Sequence, residues 1–378
     1  MSLVRRVARA RLASRVIRRL RRAGLTDARY DPLGFQVRFT ADGDDVPTIL
    51  ELAPLAAVSG KRRREAIDRF VAGLAPAHGL PRAWAEVRPL LRPVLRGGTP
   101  GAPLRRPMLP FLFEYVVIDQ PDTMTYVAPE QPAGWGVSAE KVFAAARANL
   151  SGAVLQGTAT EPVVVRFVDD GDAYWTSHLL LEHWLERLAE QVGGVPVAFA
   201  PERGTLLVTA DGSEHLRALF AQAEEIYAKS SRPITPVAYV SDANGCTVPY
   251  RAPAGHPLHH AVQRAERVLA IQEYARQAAH LAEAGHRTPG PRTPGHRTPG
   301  HPTQSLPGAV ADLQLVGSAQ EGWRTRTFWE RDEPVLLPAA DEVQLADEIV
   351  PWTDLAAHLT VATGMDPIRW TAPHWPAR

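Results

Sequence analysis

Three aspartates with the chemistry of a cation site lie close together at Asp169, Asp170 and Asp172. Clustered carboxylates are the ligands that hard divalent cations prefer in proteins. Their spacing does not supply the full ligand set of a calcium-binding loop, and the run Asp-Asp-Gly-Asp is also typical of a polar turn. In such a turn, the side chain of Asp172 caps the helix that follows. We therefore favour the polar turn and predict no metal site here.

A thiol and three imidazoles form the second group of candidates. Cys246 is the single cysteine of the chain, and His256, His259 and His260 follow it. A thiol beside an imidazole can act as a nucleophile, and histidines at i, i+3 and i+4 on a helix can ligate zinc. No catalytic signature surrounds the cysteine and no CxxC pair completes a zinc site, which favours a small buried thiol on a strand and a solvated helix start. We predict no catalytic residue and no cofactor.

Four polar residues lie at the ends of predicted elements, where ligand-binding side chains often gather. They are Arg96, Asp119, Asn149 and Asp170. If the fold brings them together, they form a polar cleft that binds a ligand or serves an enzyme. Capping and turn roles explain each residue equally well, so both interpretations are open.

The N-terminal segment is strongly basic. Residues 1–22 carry nine arginines and no acidic residue, whereas the whole chain has 42 basic and 41 acidic residues. The body of the chain is therefore mildly acidic and carries a basic arm. Apolar periodicity predicts a helix over residues 9–23. Its cationic face consists of Arg11, Arg15, Arg18, Arg19 and Arg22.

Three interpretations of this basic helix are open. It lies on an anionic membrane, it contacts nucleic-acid phosphates, or it is the first helix of the fold with a solvated cationic face. A second run of cations, Lys61–Arg64, begins another predicted helix. Cations at a helix N-terminus oppose the helix dipole, which indicates either a functional reason or a paired acidic loop.

The elements that position these residues alternate between helices and hairpins. Hairpins dominate and long strand–helix–strand alternation is missing, which predicts an α+β fold with antiparallel sheets. No glycine-rich phosphate loop follows a predicted strand. We predict one long helix over Tyr174–Gln191, a proline-rich loop over Thr99–Pro110, and an edge or broken strand over Val87–Leu95, because it contains two prolines. Asn244-Gly245 predicts a hairpin turn.

The predicted domain organisation has five parts. These are a basic helix (1–23), a first α+β module (24–150), a second α+β module (151–284), a linker (285–308) and a Trp-rich C-terminal unit (309–378). The linker contains three near-copies of Arg-Thr-Pro-Gly, a composition that cannot bury a core and predicts disorder. In the C-terminal unit we predict helices over Asp341–Ile349 and Trp352–Thr360.

Composition also limits the location and the partners. No stretch approaches the ~18 apolar residues of a membrane span, and the N-terminus has no apolar core of signal-peptide length. One cysteine permits no intramolecular disulfide, which suits a reducing compartment. We therefore expect a cytoplasmic protein.

Several short phrases resemble the YtpQ-like family, a bacterial family of unknown function. The resemblance covers residues of about 9–250, in matching order and spacing, and leaves out the linker and the C-terminal unit. It implies an α+β fold over that range and brings no activity with it. Because the family begins with a helix at this position, the resemblance also favours the interpretation of the basic helix as the first helix of the fold. The phrases are Glu65-Ala66-Ile67-Asp68, Pro93-Val94-Leu95-Arg96, Asp119, Ala148-Asn149-Leu150, Asp170-Gly171 and Pro233-Ile234-Thr235.

Without a catalytic constellation, the favoured function is a protein-interaction or adaptor module. Open antiparallel sheets accept an extended peptide or a helix, and a tethered unit gains from effective concentration. One alternative is an enzyme that uses the polar cleft near Arg96, Asp119, Asn149 and Asp170. A second alternative is association with an anionic membrane or a nucleic acid through residues 1–22.

Overall fold

The computed structural model describes residues 3–23, 25, 27–32, 35–39, 48–58, 60–73, 83–98, 103–120, 123–150, 157–168, 174–230, 232–285, 309–329, 335–345 and 348–372. The Arg-Thr-Pro-Gly repeat and the acidic turn around Asp170 lie outside these residues. Two compact units are present, unit 1 (Met1–Tyr250) and unit 2 (Arg251–Arg378). Each combines helices with mainly antiparallel sheets, which confirms the predicted α+β class.

Unit 1 contains eight helices among its described residues and two sheets. The helices are α1 (Leu3–Arg22), α2 (Ala53–Ala57), α3 (Gly60–Gly73), α4 (Trp84–Val87), α5 (Gln131–Gly134), α6 (Ala139–Ala148), α7 (Ala189–Val192) and α8 (Leu216–Lys229). The strands of the first sheet are β1 (Arg29–Asp31), β2 (Gln36–Phe39), β3 (Thr48–Glu51), β4 (Leu91–Arg96), β5 (Arg105–Leu109), β6 (Leu112–Gln120) and β7 (Thr123–Tyr126).

α1 is built into the fold of unit 1. The apolar positions on its predicted stripe are buried, and they pack with residues of β2, β3 and α3 in one hydrophobic cluster. This burial removes apolar surface from water and leaves the arginines on the outer face of the helix. The buried residues of α1 are Leu12, Ala13, Val16 and Leu20.

The first sheet has the strand order β1-β2-β3-β7-β6-β4, and β5 pairs with β6 beyond the end of β7. β4 lies at an edge, as predicted, because Pro93 cannot donate to a neighbouring strand. The prediction of a loop over Thr99–Pro110 was wrong for its second half, since β5 forms there. One face of β6 is covered by α6, where Val142 and Phe143 pack on Val116 and Ile118.

The second sheet of unit 1 has the order β12-β11-β9-β10-β8 and is antiparallel throughout. The predicted hairpin turn at Asn244-Gly245 is confirmed, because it joins β11 and β12. Gly245 has a φ of +75°, and a Cβ atom there would meet the ring of His183, so this turn needs glycine. The strands are β8 (Val165–Val168), β9 (Pro196–Glu202), β10 (Thr205–Ala210), β11 (Ala238–Ser241) and β12 (Thr247–Pro249).

The long helix predicted over Tyr174–Gln191 was wrong. The segment instead forms a 3-10 turn at Trp175–Leu180, a second at Leu185–Leu188, and then the short α7. His183 interrupts it with a φ of +58°, and its N–H donates to Gly245 O at 2.9 Å. A hydrogen bond to a distant turn therefore overrides the local helical periodicity.

Unit 2 consists of one long helix and two four-stranded sheets, ordered β13-β16-β20-β19 and β14-β15-β17-β18. Its buried core includes Trp329, Val343 and Leu355. The elements are α9 (His259–Gly285), β13 (Ala309–Val310), β14 (Leu313–Ser318), β15 (Gly322–Trp329), β16 (Val335–Pro338), β17 (Glu342–Leu345), β18 (Glu348–Pro351), α10 (Trp352–Ala356), β19 (Thr360–Ala362) and β20 (Arg369–Ala372).

Two features of unit 2 differ from the predictions. The segment 341–349 was predicted as a helix but forms β17 and β18, because β17 pairs in parallel with β15. α9 was placed in the second module, whereas it lies in the same compact unit as the C-terminal strands. There Arg267 forms two 3.0 Å contacts with Asp341, and Arg264 lies over the ring of Trp323. A C-terminal unit of this size needs the added apolar and polar contacts of such a helix.

Candidate functional site

An open groove between α1 and α3 is lined almost entirely by arginines. Its volume is about 360 Å³. α1 supplies four of the arginines and α3 supplies two, together with Gly60 at its start and the buried side chain of Ile67. We name this surface the arginine groove. Its lining residues are Arg15, Arg18, Arg19, Arg22, Gly60, Arg63, Arg64 and Ile67.

The sequence builds the groove through the packing of two amphipathic helices. The apolar stripe of α1 and Ile67 of α3 enter the same hydrophobic cluster. The cationic face of α1 is thereby held beside the first turns of α3, which contain the run Lys61–Arg64. Two basic segments that are distant along the chain therefore become one surface.

Part of this positive charge is used within the fold. Arg19 pairs with Asp68 at 2.9 Å. Arg63 donates to two backbone oxygens, that of Ala56 in the last turn of α2 and that of Val58 just after this helix. Arg15, Arg22 and Arg64 form no ion pair within the described part of the chain. No carboxylate of the described residues therefore neutralises these three guanidinium groups.

Four of the five arginines predicted to face an anionic surface line this groove. Arg11 lies outside the lining, on an exposed part of α1. Sequence reasoning also identified the cations of Lys61–Arg64 but did not connect them with α1. That connection depends on tertiary packing. Anion binding by these residues stays a prediction.

The structure places two of the four residues of the predicted polar cleft on one face of the first sheet, at opposite ends of β6. Arg96 of β4 pairs across the strands with Phe113 of β6, and successive residues of a strand alternate between faces. Arg96 and Asp119 therefore lie on the same face of the sheet. Both interact with Tyr174, which hydrogen-bonds to Asp119 and feels the charge of Arg96. The face carries Arg92, Val94 and Arg96 of β4 with Phe113, Tyr115, Val117 and Asp119 of β6.

The other two residues do not join this pair. The side-chain amide of Asn149 donates to Arg88 O at 2.7 Å and to Leu91 O at 2.9 Å. It therefore ties the end of α6 to the start of β4, which is a structural role. Asp170 lies outside the described residues.

A buried ion cluster around Glu114 was missed by sequence reasoning. Glu114 is fully buried on the face of β6 that α6 covers. Arg147 donates to both of its carboxylate oxygens at 2.8 Å, and Arg106 donates to Oε2 at 2.6 Å. Bidentate pairing of this kind stabilises a buried carboxylate. The signal in the sequence was an acid inside the run Leu112–Ile118 of β6, which is otherwise apolar.

The cysteine and histidine candidates are not assembled into a site within either unit. Cys246 is exposed, contrary to the favoured interpretation of a buried thiol. Among His256, His259 and His260, Nδ1 of His259 contacts Ala252 O at 2.8 Å, and Nδ1 of His256 accepts from Leu258 N. Across the described ranges, no group of three or more His, Cys, Asp or Glu residues is placed to hold a metal ion.

Comparison with known proteins adds no further assignment. No family model, no curated protein and no solved structure matches the chain. The resemblance to the YtpQ-like family therefore stays a prediction. No helix in the described part of the chain is long and apolar enough to cross a membrane.

Proposed function

We propose that this protein binds the phosphate backbone of nucleic acid through the arginine groove. The observation that carries the proposal is the convergence of six arginines, from two helices, on one open groove. Arginine forks match phosphate oxygens in geometry and charge. Backbone phosphates supply most of the affinity in sequence-independent binding to nucleic acid.

The concentration of positive charge is unfavourable for the fold itself. Four consecutive cations at the start of α3 oppose its dipole, and the four arginines of α1 are added beside them. Within the described residues, acidic partners reach only some of them, as in the contacts Arg19–Asp68 and Lys61–Glu65. A bound polyanion would relieve this repulsion, which gives the unfavourable arrangement a functional reason.

Two features favour nucleic acid over an anionic membrane. A helix that lies in a membrane interface inserts its apolar face among the lipids, whereas the apolar stripe of α1 is buried in the hydrophobic core of unit 1. The surface is also concave, which fits a strand of phosphates better than a flat bilayer. Among the described residues, no aromatic side chain lines the groove, so base stacking is not expected there, and sequence specificity should be weak.

The test is the salt dependence of binding to a duplex DNA of about 20 base pairs and to an RNA of equal length. The variant Arg15→Gln/Arg64→Gln removes two groove cations that form no ion pair among the described residues. We expect its log–log salt slope on DNA to fall by about two relative to the unmodified chain, because each lost phosphate contact removes nearly one released counterion. The loss should be similar for unrelated sequences.

The matched control is Arg11→Gln/Arg62→Gln, which removes the same charge from the same two helices outside the groove lining. Its salt slope should stay close to that of the unmodified chain. Equal losses in both variants would show that net charge, and not the groove, governs binding. Binding to phosphatidylserine vesicles without binding to either nucleic acid would support the membrane alternative and overturn the proposal.

A second candidate function, the protein-interaction module, is favoured by the edge strand β8. This strand lies at one edge of its sheet. Two valines are exposed there, Val168 with an exposed fraction of 60% and Val164, just before the strand, with an exposed fraction of 40%. An exposed apolar edge is a template for pairing with an extended segment of another protein. Such a segment would add one strand and place alternate apolar side chains against these valines.

The corresponding test is a pull-down from a cell lysate with Val164→Lys/Val168→Lys as the comparison. Lysines on an edge strand oppose pairing with a further strand. Proteins that the unmodified chain captures and this variant does not would support the interaction function. A captured set that is the same for both chains would contradict it.

A further inference from the structure

Arg96 is a buried cation whose hydrogen-bonding capacity is largely unused. It is 7% exposed. One terminal nitrogen donates to Leu95 O at 2.7 Å, while Nε has no hydrogen-bond partner among the described residues. A guanidinium group carries five N–H donors in a fixed plane. Buried donors are almost always paired, so an unpaired one calls for a specific reason.

The groups around Arg96 increase the positive charge instead of neutralising it. The pKa of Arg96 is lowered from 12.5 to about 9, chiefly by burial and also by the charges of Arg203 and Arg232, whereas Tyr126 and Tyr174 act in the opposite direction. None of these neighbours is acidic. Arg203 and Arg232 are adjacent, since the N–H of Arg203 donates to Arg232 O at 3.1 Å. At pH 7 a group with a pKa of about 9 remains protonated, so the cation persists in the fold.

The acid on this face of β6, Asp119, lies at the end of the strand away from Arg96, which pairs with Phe113. Asp119 accepts a hydrogen bond from the hydroxyl of Tyr174. The buried charge on the opposite face of the sheet is paired, because Glu114 is neutralised by two arginines at 2.6 and 2.8 Å. The same sheet thus contains one buried charge that is fully paired and one that is not.

We propose that Arg96 is the centre of a binding site for one oxyanion, namely the carboxylate or phosphate group of a small ligand. Two oxygens of such a group can accept from the free edge of the guanidinium, which has the matching planar geometry. Arg203 and Arg232 add attraction at longer range. Both are partly exposed, so the site adjoins solvent on their side.

This site differs from the arginine groove in the ligand that it suits. The groove is an open surface on α1 and α3, whereas Arg96 is enclosed by the first sheet, Tyr174 and the turn that holds Arg203. An enclosed cation favours a compact anion over a polymer, because the low local dielectric strengthens a close contact. The two sites are therefore independent proposals.

The experiment is a titration of the full-length, ¹⁵N-labelled chain followed through the Nε–H resonance of Arg96. The probes are inorganic phosphate, acetate, and sodium chloride at matched ionic strength. We expect a saturable shift with phosphate or with acetate, and none with chloride beyond the effect of ionic strength. The anion that saturates the shift at the lower concentration shows whether the site prefers a phosphate or a carboxylate ligand.

Two variants locate the effect. Arg96→Lys keeps the charge but removes the planar fork, and the loss of the Nε–H resonance in this variant assigns it to Arg96. The anion affinity of the variant is measured through ligand-induced stabilisation against heat. We expect it to be weaker by about tenfold or more. Arg15→Gln/Arg64→Gln alters only the arginine groove and should leave the Arg96 titration unchanged. The absence of a saturable shift with either anion, or an unchanged affinity in Arg96→Lys, would overturn the proposal. The titration of the unmodified chain decides the matter even if Arg96→Lys does not fold.

Discussion

Two arginines are buried among the described residues, one in each unit, and their surroundings differ. Arg369 of unit 2 is fully buried. Its guanidinium donates to Gln277 Oε1 at 2.6 Å, to the oxygens of Ala311 and Leu336 at 2.9 Å, and to Tyr274 O at 3.1 Å. Among the described residues, Arg96 of unit 1 makes one such bond, and its Nε has no hydrogen-bond partner.

The difference separates a structural arginine from a candidate ligand site. Burial lowers the pKa of both residues, to about 10 for Arg369 and to about 9 for Arg96. Arg369 of β20 is compensated because three backbone oxygens and one side-chain amide surround it, and it links β20 with α9, β16 and the residue that follows β13. Arg96 has no comparable set of acceptors. Burial of a charge alone therefore does not identify a site, whereas unused donors in a buried group do.

The largest effect is expected from Arg369→Met. The substitution leaves four buried acceptors without their donor, so it should lower the free energy of unfolding of unit 2 by about 3–5 kcal/mol, the range for breaking a buried charged network. Urea unfolding followed by tryptophan fluorescence measures this change. The control is Arg324→Met, an exposed arginine of the same unit paired with Glu342 at 3.4 Å, which should cost less than about 1 kcal/mol. A loss below that level in Arg369→Met would contradict a structural role.

A second large effect is expected from Glu114→Gln. Removal of this buried carboxylate charge leaves Arg106 and Arg147 without their shared partner, and both cations are partly shielded from water. We expect a loss of about 2–3 kcal/mol in the free energy of unfolding, lower than for a fully enclosed pair because the two arginines remain partly hydrated.

The matched control is Glu140→Gln, which removes the other carboxylate bound by Arg106. Glu140 is exposed, so solvent screens the pair and the loss should be a few tenths of a kcal/mol. If the two variants lost equal stability, burial would not explain the role of Glu114, and the contrast between paired and unpaired buried charges would fail.

A third test compares the tyrosine beside each arginine. Tyr274 donates to Ile368 O at 2.9 Å and accepts from Ala339 N at 3.2 Å, whereas Tyr174 bonds to Asp119. We expect Tyr274→Phe to cost about 2 kcal/mol and Tyr174→Phe about 1 kcal/mol, since more groups lose a partner in the first case. Urea unfolding at pH 8 measures both values. The reverse order would contradict the distinction between the two units.

The same tyrosines predict a loss of stability at alkaline pH. Burial raises the pKa of Tyr274 and of Tyr174 above 10.0, and Asp119 raises that of Tyr174 further. The unfolded chain therefore loses these protons first. Their contribution to stability is complete below pH 10 and declines as the pH rises above that value. The free energy of unfolding should decline less between pH 8 and pH 10.5 in Tyr174→Phe and in Tyr274→Phe than in the unmodified chain.

Local chemistry made much of the fold predictable from the sequence. The stripe of α1 is buried as its periodicity indicates, and Pro93 marks an edge strand. Ser138, a residue type preferred at the start of a helix, caps α6 by accepting from Lys141 N. Each of these features depends on residues that are close together in the chain.

Features that depend on distant partners were not predictable in the same way. The break at His183 depends on a hydrogen bond from its N–H to Gly245 O. The strand at Glu342–Leu345 depends on pairing with β15, beside which Asp341 accepts from Thr325 N at 2.6 Å. In both segments a helical pattern was present, and tertiary contacts outweighed it.

The candidate sites show the same limit. All the arginines of the groove are visible in the sequence, but only packing shows that α1 and α3 adjoin. Arg96 was selected as a polar residue at the end of a strand. Its burial and its unpaired nitrogen depend on Tyr174 and on the turn at Arg203, neither of which can be placed beside it from spacing.

The smallest effect on stability is expected from Arg96→Met, and it tests the comparison most directly. Arg96 makes one hydrogen bond to the backbone and feels repulsion from Arg203 and Arg232, so replacement by an apolar side chain of similar length removes little favourable energy. Apolar replacement of a poorly compensated buried charge is often neutral or stabilising. We expect a change within about 1 kcal/mol of zero, measured by urea unfolding in a buffer free of phosphate and carboxylates. Added oxyanion should stabilise the unmodified chain and leave Arg96→Met unchanged. A loss as large as that of Arg369→Met would mean that Arg96 is a structural arginine like its counterpart.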